Sequence, residues 1–361
     1  MKDISYSTAF PTPTFLAMPT LGIDISDESI KYLELVHSKT GLEVGKYGKI
    51  IIKEGTLLSG SIQNEKGFIG ALLKLREQTG SRFVRLSLPE EQIYLFEVTI
   101  SSKESEDMRG SIEMKLPEHV PLETADIIFD YDLVHQEGDM LHVQVAATSR
   151  RFVENYLSPI KASHLEPLSF EIEAQAVARA VVPRGDNETY LIVDFGRTRT
   201  GISIVSHGLV LFTSTLSVGG NSIMNDMVKK TGKTLEEVEK IKNTVGLSKK
   251  TDPALLTILE KHINTLSDEI NKHYVYWSSQ QGHTSELADE FIIKGILLCG
   301  GEANIPGLAK FLEEKLDSTI IIPNVWQNVN TLEDYVPPIS REISLSYSTA
   351  IGLALGDIEH D

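Results

Sequence analysis

The sequence predicts an α/β protein built as two similar lobes around a shared cleft. A six-residue pattern recurs: Leu21-Gly22-Ile23-Asp24-Ile25-Ser26 and Leu191-Ile192-Val193-Asp194-Phe195-Gly196 match at an offset of 170 residues, Asp24 to Asp194. Each copy is an apolar strand with Asp in fourth place, then a small residue and a second strand. Short apolar strand segments alternate with helically spaced ones, the pattern of a layered α/β chain. A length of 361 residues, 41% of them hydrophobic, allows roughly two domains of about 150 residues, each with its own core.

In chain order, the first hairpin is Leu21–Ser26 with Ile30–Leu35, two apolar runs about a polar turn. Lys46–Lys53 reads as a third strand. Glu65–Gln78 has helical spacing in Phe68, Ile69, Leu72, Leu73 and Leu75, and Gly80 ends it. Arg82–Leu88 is a strand closed by Pro89. The character then changes: a strand over Glu91–Ile100, a polar helix over Ser102–Lys115, a loop over Leu116–Pro121, and strands near Ile127–Val134 and Met140–Thr148. This stretch reads as a small α+β insert, about 88–150. Ser149 caps a helix running to Pro159. His164–Phe170 is a strand and Glu171–Val182 an alanine-rich helix. Pro183–Asn187 is the clearest linker. Strands over Tyr190–Gly196, Gly201–Val205 and Gly208–Leu216 follow. The last third is mostly helical until the strand Phe291–Cys299, after which a helix opens near Asn304–Leu308.

Charge narrows the function classes. Lys and Arg total 34 against 51 Asp and Glu, a formal charge of −17, which argues against broad binding to nucleic acid or to an anionic membrane surface. One cysteine, Cys299, excludes an intramolecular disulfide framework and a multi-cysteine zinc site. It is expected to be a buried small hydrophobe. His37, His119, His135, His142 and His164 show no ligand spacing. The best apolar run, Phe291–Cys299, is short for a membrane span and carries Lys294. The N-terminus has no apolar signal core, and residues 1–18 are expected to be a flexible leader. A cytoplasmic placement is expected.

Facing each other, the two Asp-bearing hairpins would grip one ligand. Tight hairpins present backbone N–H groups that can cradle phosphate oxygens. Asp24 and Asp194 would then sit near a hydrated Mg²⁺, which prefers one or two carboxylates with waters and phosphates.

Asp24-x-Ser26 near the start, Asp194-x-Gly196 in mid-chain and Gly300-Gly301-Glu302-Ala303-Asn304-Ile305-Pro306-Gly307-Leu308 near the end resemble the actin-like ATPase superfamily of actin, MreB, FtsA, heat-shock chaperones and sugar kinases. Within it the chain looks most like the PilM family of type IV pilus assembly. The stretches that carry this are Gly22-Ile23-Asp24 with Lys31 and Glu34-Leu35, Phe170 to Ala180, Leu211-Phe212-Thr213 leading to Gly219-Gly220, and Ser348 to Ala354. The resemblance covers about 19–357. It implies lobe 1 over 19–187 (subdomain 1A, with a 1C insert of FtsA/PilM type at about 88–150), lobe 2 over 188–340 (2A and 2B), and a C-terminal helix within 341–361 returning to lobe 1.

The resemblance also implies a site for ATP with Mg²⁺. Asp24 and Ser26 match its first phosphate loop, with Lys31 seven residues after the Asp. Asp194, Gly196, Thr198 and Thr200 match the second, with Gly196 letting backbone approach the ligand. Gly219-Gly220 opens a helix whose N-terminus suits an anion. Glu239 and Lys242 correspond to the pair that reaches ribose and base, or are a solvated charged helix with i,i+3 pairs. Gly300, Gly301, Ile305 and Pro306 fall where adenine stacks on backbone, with Pro306 near the start of the next helix. Glu173 takes the place of a catalytic Glu that orients the attacking water, or is a helix-surface Glu. Asp24 and Asp194 are the metal carboxylates. The chain departs from the family at Ser26, Arg197, Arg199 and Asn221. Arg197 and Arg199 could touch phosphate or face solvent, with solvent the favoured reading, and the charge of Glu28 in a phosphate loop is unhelpful unless it points outward.

The function so implied is that of an ATP-binding component of an inner-membrane pilus assembly complex, at most a slow ATPase. It would hold the cytoplasmic N-terminal peptide of a PilN-like bitopic membrane protein within 19–165, with other pilus assembly proteins as further candidates. The short acidic C-terminus lacks the amphipathic anchor of FtsA, so membrane attachment is expected to be indirect. The alternatives are an FtsA- or MreB-like filament and a small-molecule kinase.

Overall fold

The computed structural model of the protein describes residues 20–38, 41–248, 250–281, 291–330 and 335–356. The expected leader over 1–18 and the acidic run 357–361 lie outside them. Strands β1 (Thr20–Ile25) and β2 (Ser29–Ser38) form the first hairpin. β3 (Gly41–Ile51) starts earlier than Lys46, because its first half still pairs with the far half of β2 and buries Leu42. β4 (Leu57–Leu58) and β5 (Ser61–Ile62) lead to α1 (Glu65–Thr79). The Asn64 side chain caps α1 by accepting from the Gly67 N–H, and Gly80 at φ 64° closes it.

β6 (Phe83–Leu88) is followed by a single 3₁₀ turn over Glu90–Gln92, and β7 (Tyr94–Ser101) starts after it rather than at Glu91. The Ile93 N–H donates to the Glu90 carbonyl at 3.0 Å, which closes the turn. Ser102–Asp107 is a 3₁₀ stretch, and α2 (Met108–His119) runs through Pro117 where a loop was expected. Burial of Ile112 and Leu116 on one helical face outweighs the lost proline N–H, and the Val120 N–H still reaches the Leu116 carbonyl at 2.8 Å. β8 (Ile127–Glu137) and β9 (Met140–Ser149) follow, then α3 (Arg150–Ala162), capped by Ser149. β10 (Glu166–Ile172) passes directly into α4 (Glu173–Val181).

The second half repeats the plan. β11 (Thr189–Phe195), β12 (Thr200–Ser206) and β13 (Leu209–Leu216) form a meander, followed by α5 (Gly220–Thr231), α6 (Leu235–Thr244) and α7 (Pro253–Gln281). On α7, Leu255, Leu259, Ile263, Leu266 and Ile270 are fully buried at three- and four-residue steps, one apolar stripe. β14 (Ile293–Cys299), α8 (Leu308–Leu316), β15 (Ile320–Ile321), α9 (Arg341–Ser344) and α10 (Ser348–Leu355) complete the chain.

The recurring sequence pattern is a duplicated sheet. The first sheet has the order β10-β6-β1-β2-β3 and the second β15-β14-β11-β12-β13. In each, the first three strands are parallel and the last two run antiparallel. Asp24 and Asp194 fall at matching positions of β1 and β11. Their cross-strand neighbours differ: Lys31 faces Asp24, and Gly201 faces Asp194. Residues 94–149 form a separate sheet, β7-β9-β8, with α2 and a buried cluster of their own.

α10 is wedged between β1 and α4 at contact distances only glycine permits. A Cβ on Gly22 would meet the Ala350 carbonyl at 2.2 Å, and one on Gly352 the Ala176 carbonyl at 1.7 Å. Arg179 donates to the Gly352 carbonyl at 2.9 Å and pairs with Glu171 at 2.8 Å, fixing α10 to the first lobe. No helix among the described residues is long and apolar enough to cross a membrane.

Candidate functional site

The carboxyl ends of the parallel strands in both sheets converge on one cavity of about 380 Å³. Ligand sites of α/β sheets gather there, because strand ends hand over to loops and helix starts. Asp24 is the penultimate residue of β1, Glu90 follows β6, and Glu173 follows β10. On the other side Asp194 is the penultimate residue of β11, and Gly300 to Glu302 follow β14. The volume lies in the range of small-molecule sites.

Of the sequence-predicted residues, Asp24, Ser26, Lys31, Glu173, Asp194, Gly196, Thr198, Glu239, Gly300 and Gly301 line this cavity. Lys31 pairs with Asp24 at 2.9 Å. The Ser26 hydroxyl donates to the Ser29 carbonyl at 3.0 Å, so it tightens its own hairpin.

Six predicted residues fall outside the lining. Thr200 is buried and donates to the Val218 carbonyl at 2.6 Å. Gly219 and Gly220 open α5, but its first donors are taken: the Gly220 N–H donates to the Gly196 carbonyl at 3.1 Å and the Asn221 N–H to the Arg197 carbonyl at 2.8 Å. A helix start whose N–H groups already serve a neighbouring loop has little left for an anion. Lys242 lies beneath the cavity, fully buried against Glu302. Ile305 belongs to the core. Pro306 precedes α8, and its carbonyl accepts the Leu247 N–H at 2.8 Å.

The glycines serve loop-to-loop contact. A Cβ on Gly219 would meet backbone of 197–199 at 2.6–2.7 Å, and one on Gly300 (φ +88°) the Asp194 carboxylate at 2.4 Å. Gly300 thus lets the β14 turn pack against Asp194 itself.

Arg197 and Arg199 do not face solvent, as the sequence suggested. Both cross to the first lobe. Arg197 pairs with Glu28 at 3.2 Å and with Glu239 at 3.0 Å, and donates to Asn221. Arg199, mostly buried, pairs with Glu91 at 2.9 Å and Glu173 at 3.3 Å. Glu28 also lines the cavity. The reason is charge: the lining holds Asp24, Glu28, Glu90, Glu173, Asp194, Glu239 and Glu302 against Lys31, Lys49, Arg197 and Arg199. Cations near so many half-buried carboxylates are held by them.

That crowding shifts titrations. Burial pushes Asp194 up to about 6, with Lys31 opposing and Asp24 adding to the rise. Burial pushes Glu173 up to about 8, against the pull of Arg199, and Glu90 up to about 7, against hydrogen bonds from Thr213 and the Ala174 N–H. Lys31 is held above its usual value: burial works against its charge, and Asp24, then Asp194 and Glu173, outweigh it. Cys299, at the end of β14, is fully buried, and burial raises its thiol well above the usual range.

Glu90, Lys49 and Glu302 line the cavity without having been singled out by sequence reasoning. Glu90 and Glu302 each stand within three residues of a parallel strand's carboxyl end, a positional signal that finds them once the sheet order is known. Lys49 is the cross-strand partner of Lys31, a placement set by register. Asn243, Ile343, Ser346 and Tyr347 add an uncharged wall.

Two sheets of one topology, each offering an Asp-bearing hairpin to a common cleft, define an actin-like ATPase fold. The same fold occurs in MreB5 of Spiroplasma citri bound to ADP (TM-score 0.57, 14% identity, covering 96% of this chain and 99% of that one). It occurs also in the ethanolamine utilization protein EutJ from Carboxydothermus hydrogenoformans (TM-score 0.54, 15% identity, 96% and 91%). Residues 22–358 match the family model described as type IV pilus assembly protein PilM, and the chain belongs to that family. The solved PilM–PilN type IV pilus biogenesis complex is similar to it at a TM-score of 0.76, with 18% identity over 94% of this chain and 98% of that one.

Proposed function

We propose that this protein is the ATP- and Mg²⁺-binding actin-like component of a type IV pilus, or related, inner-membrane assembly complex, and that it holds the cytoplasmic N-terminus of a PilN-like membrane protein. The observation that carries the nucleotide is the pair Asp24 and Asp194, on matching hairpins of two lobes and lining one cavity. The donor set suits Mg²⁺, which takes one or two carboxylates and leaves its other positions to water and phosphate. Burial and Asp24 together raise Asp194, and a divalent cation held by these carboxylates would relieve that repulsion. Bound Mg²⁺ would supply charge neutralisation for the phosphates.

The chain's own residues then divide the work. Asp24 and Asp194 hold the metal, Lys31 fixes Asp24, and Gly196, Thr198 and the Ser26 hairpin border the phosphates. Glu239, Gly301 and the uncharged wall of Asn243 and Ser346 border the nucleoside. Glu173 would orient the attacking water, and in the ligand-free protein Arg199 holds it at 3.3 Å. Family membership and the likeness to a PilM–PilN complex support the partner. The lobes are taken as 19–187 and 188–340, with the insert at about 88–150, and membrane attachment runs through the partner.

The test is a titration of the protein with a labelled N-terminal peptide of the PilN-like protein from the same genome, with ATP–Mg²⁺, with ADP–Mg²⁺ and with neither. Binding that changes with nucleotide is expected. Absence of peptide binding in every state refutes the adaptor reading, and absence of nucleotide binding refutes the site.

A further inference from the structure

The second phosphate-loop candidate ends in a guanidinium that already touches the opposite lobe. Arg199 closes the β11–β12 turn, where its carbonyl accepts the Gly196 N–H at 3.0 Å. Its side chain reaches Glu91 at 2.9 Å and Glu173 at 3.3 Å. Glu91 sits on the 3₁₀ turn that leads into β7, and Glu173 is the first residue of α4. Arg199 is therefore a bridge between lobes made by one planar fork.

The charged part of the cavity is a single neighbourhood. Arg199 acts on Asp194, Glu173 and Glu90, and Lys31 on Asp24, Asp194 and Glu173. Asn243, Ile343, Ser346 and Tyr347 form an uncharged part. An ionic tail on an uncharged head would lie with its tail among the charges. Those carboxylates repel a phosphate unless a cation turns toward it. Lys31 is committed to Asp24 along the paired strands β1 and β2. Arg199 extends from a turn, and its fork matches phosphate geometry.

We propose that Arg199 senses the terminal phosphate of a bound nucleoside triphosphate, leaving Glu91 and Glu173 for it and so releasing the turn at the foot of β7. The inference rests on the reading that the cleft binds nucleotide. A triphosphate reaches the guanidinium and a diphosphate does not, so the ion pair with Glu91 reports which is bound. The turn it frees begins the separate sheet of residues 94–149. The adjoining residue Glu90 holds that turn to both lobes, accepting the Ala174 N–H at 2.8 Å and the Thr213 hydroxyl at 2.6 Å. Glu90 and Thr215 also line a second groove between the edge strands β7 and β13. A change at this turn is thus felt on two surfaces at once.

The experiment is calorimetric titration of the full chain and of Arg199→Gln with ATP–Mg²⁺ and ADP–Mg²⁺, with a thermal melt of each to establish folding. The substitution is expected to weaken ATP at least about tenfold, the scale of a lost charge-assisted contact, and ADP less than about twofold. Equal losses, or none, in a folded variant overturn the proposal and leave Arg199 a fixed clamp. A native protein that binds neither nucleotide overturns the nucleotide reading itself. Should Arg199→Gln fail to fold, Glu91→Gln takes its place: removing the competitor is expected to strengthen ATP about threefold with ADP unchanged, and an unchanged ATP affinity overturns the proposal.

Discussion

Gly352 of α10 lies so close to α4 that a Cβ on it would stand 1.7 Å from the Ala176 carbonyl oxygen. Glycine inside a helix ordinarily costs up to about 1 kcal/mol relative to alanine, so Gly→Ala normally stabilises. Here the obstacle is backbone, which cannot swing aside. Gly352→Ala is expected to destabilise the protein by about 3 kcal/mol, read from the midpoint of urea unfolding. A variant as stable as the native protein would show that α10 can move off α4.

Asp194 is one of the two carboxylates proposed to hold the metal, and Gly300 packs against it. Asp194→Asn keeps the shape and removes the charge. It is expected to abolish Mg²⁺-dependent nucleotide binding at concentrations that saturate the native protein, with an unchanged melting temperature. Undiminished affinity in the folded variant sinks the assignment of Asp194.

Lys242 and Glu302 are a buried pair in which Glu302 reaches the cavity lining. Removing one partner of such a pair leaves an uncompensated charge and costs about 3–5 kcal/mol. Lys242→Met is expected to lose that much in chemical denaturation. Adding Glu302→Gln is expected to restore most of it. If the double variant is no better than the single, the loss comes from packing and not from charge.

Glu90 ties stability to pH. Burial raises it from 4.5 in a free chain to about 7 in the folded protein. The folded state therefore holds the proton more tightly than the unfolded state. The linkage slope is negative between those values: the group costs nothing below about 4.5, and its cost grows as pH rises through about 7. The ligand-free protein is expected to lose stability over that window, by up to roughly 3 kcal/mol from this group. Glu90→Gln, which can keep the Ala174 and Thr213 contacts, is expected to lose less. Parallel pH profiles for the two proteins would remove Glu90 as the cause.

The duplication was legible before any coordinates, because Asp in fourth place of an apolar run survives as a pattern in a linear text. So were two helix ends: Ser149 and Gly80 act through neighbours three or four residues away. The arginines were misread for the opposite reason. Whether Arg199 meets water or Glu91 depends on a contact between residues 108 apart, set by how two lobes close. The Gly219-Gly220 helix start failed likewise, since its donors are spent on Gly196 and Arg197, more than twenty residues upstream. Pro117 misled through a strong local rule, overruled by the burial of Leu116.

Cys299 is the single cysteine of the chain and is sealed inside it, with a thiol that resists ionisation. Alkylating reagents need an accessible thiolate, so the native protein is chemically silent toward them. A cysteine introduced on each lobe, for example at an exposed position of α1 and another of α7, can carry a fluorophore pair without removing the native residue. Opening and closing of the cleft can then be followed in a chain whose core is untouched.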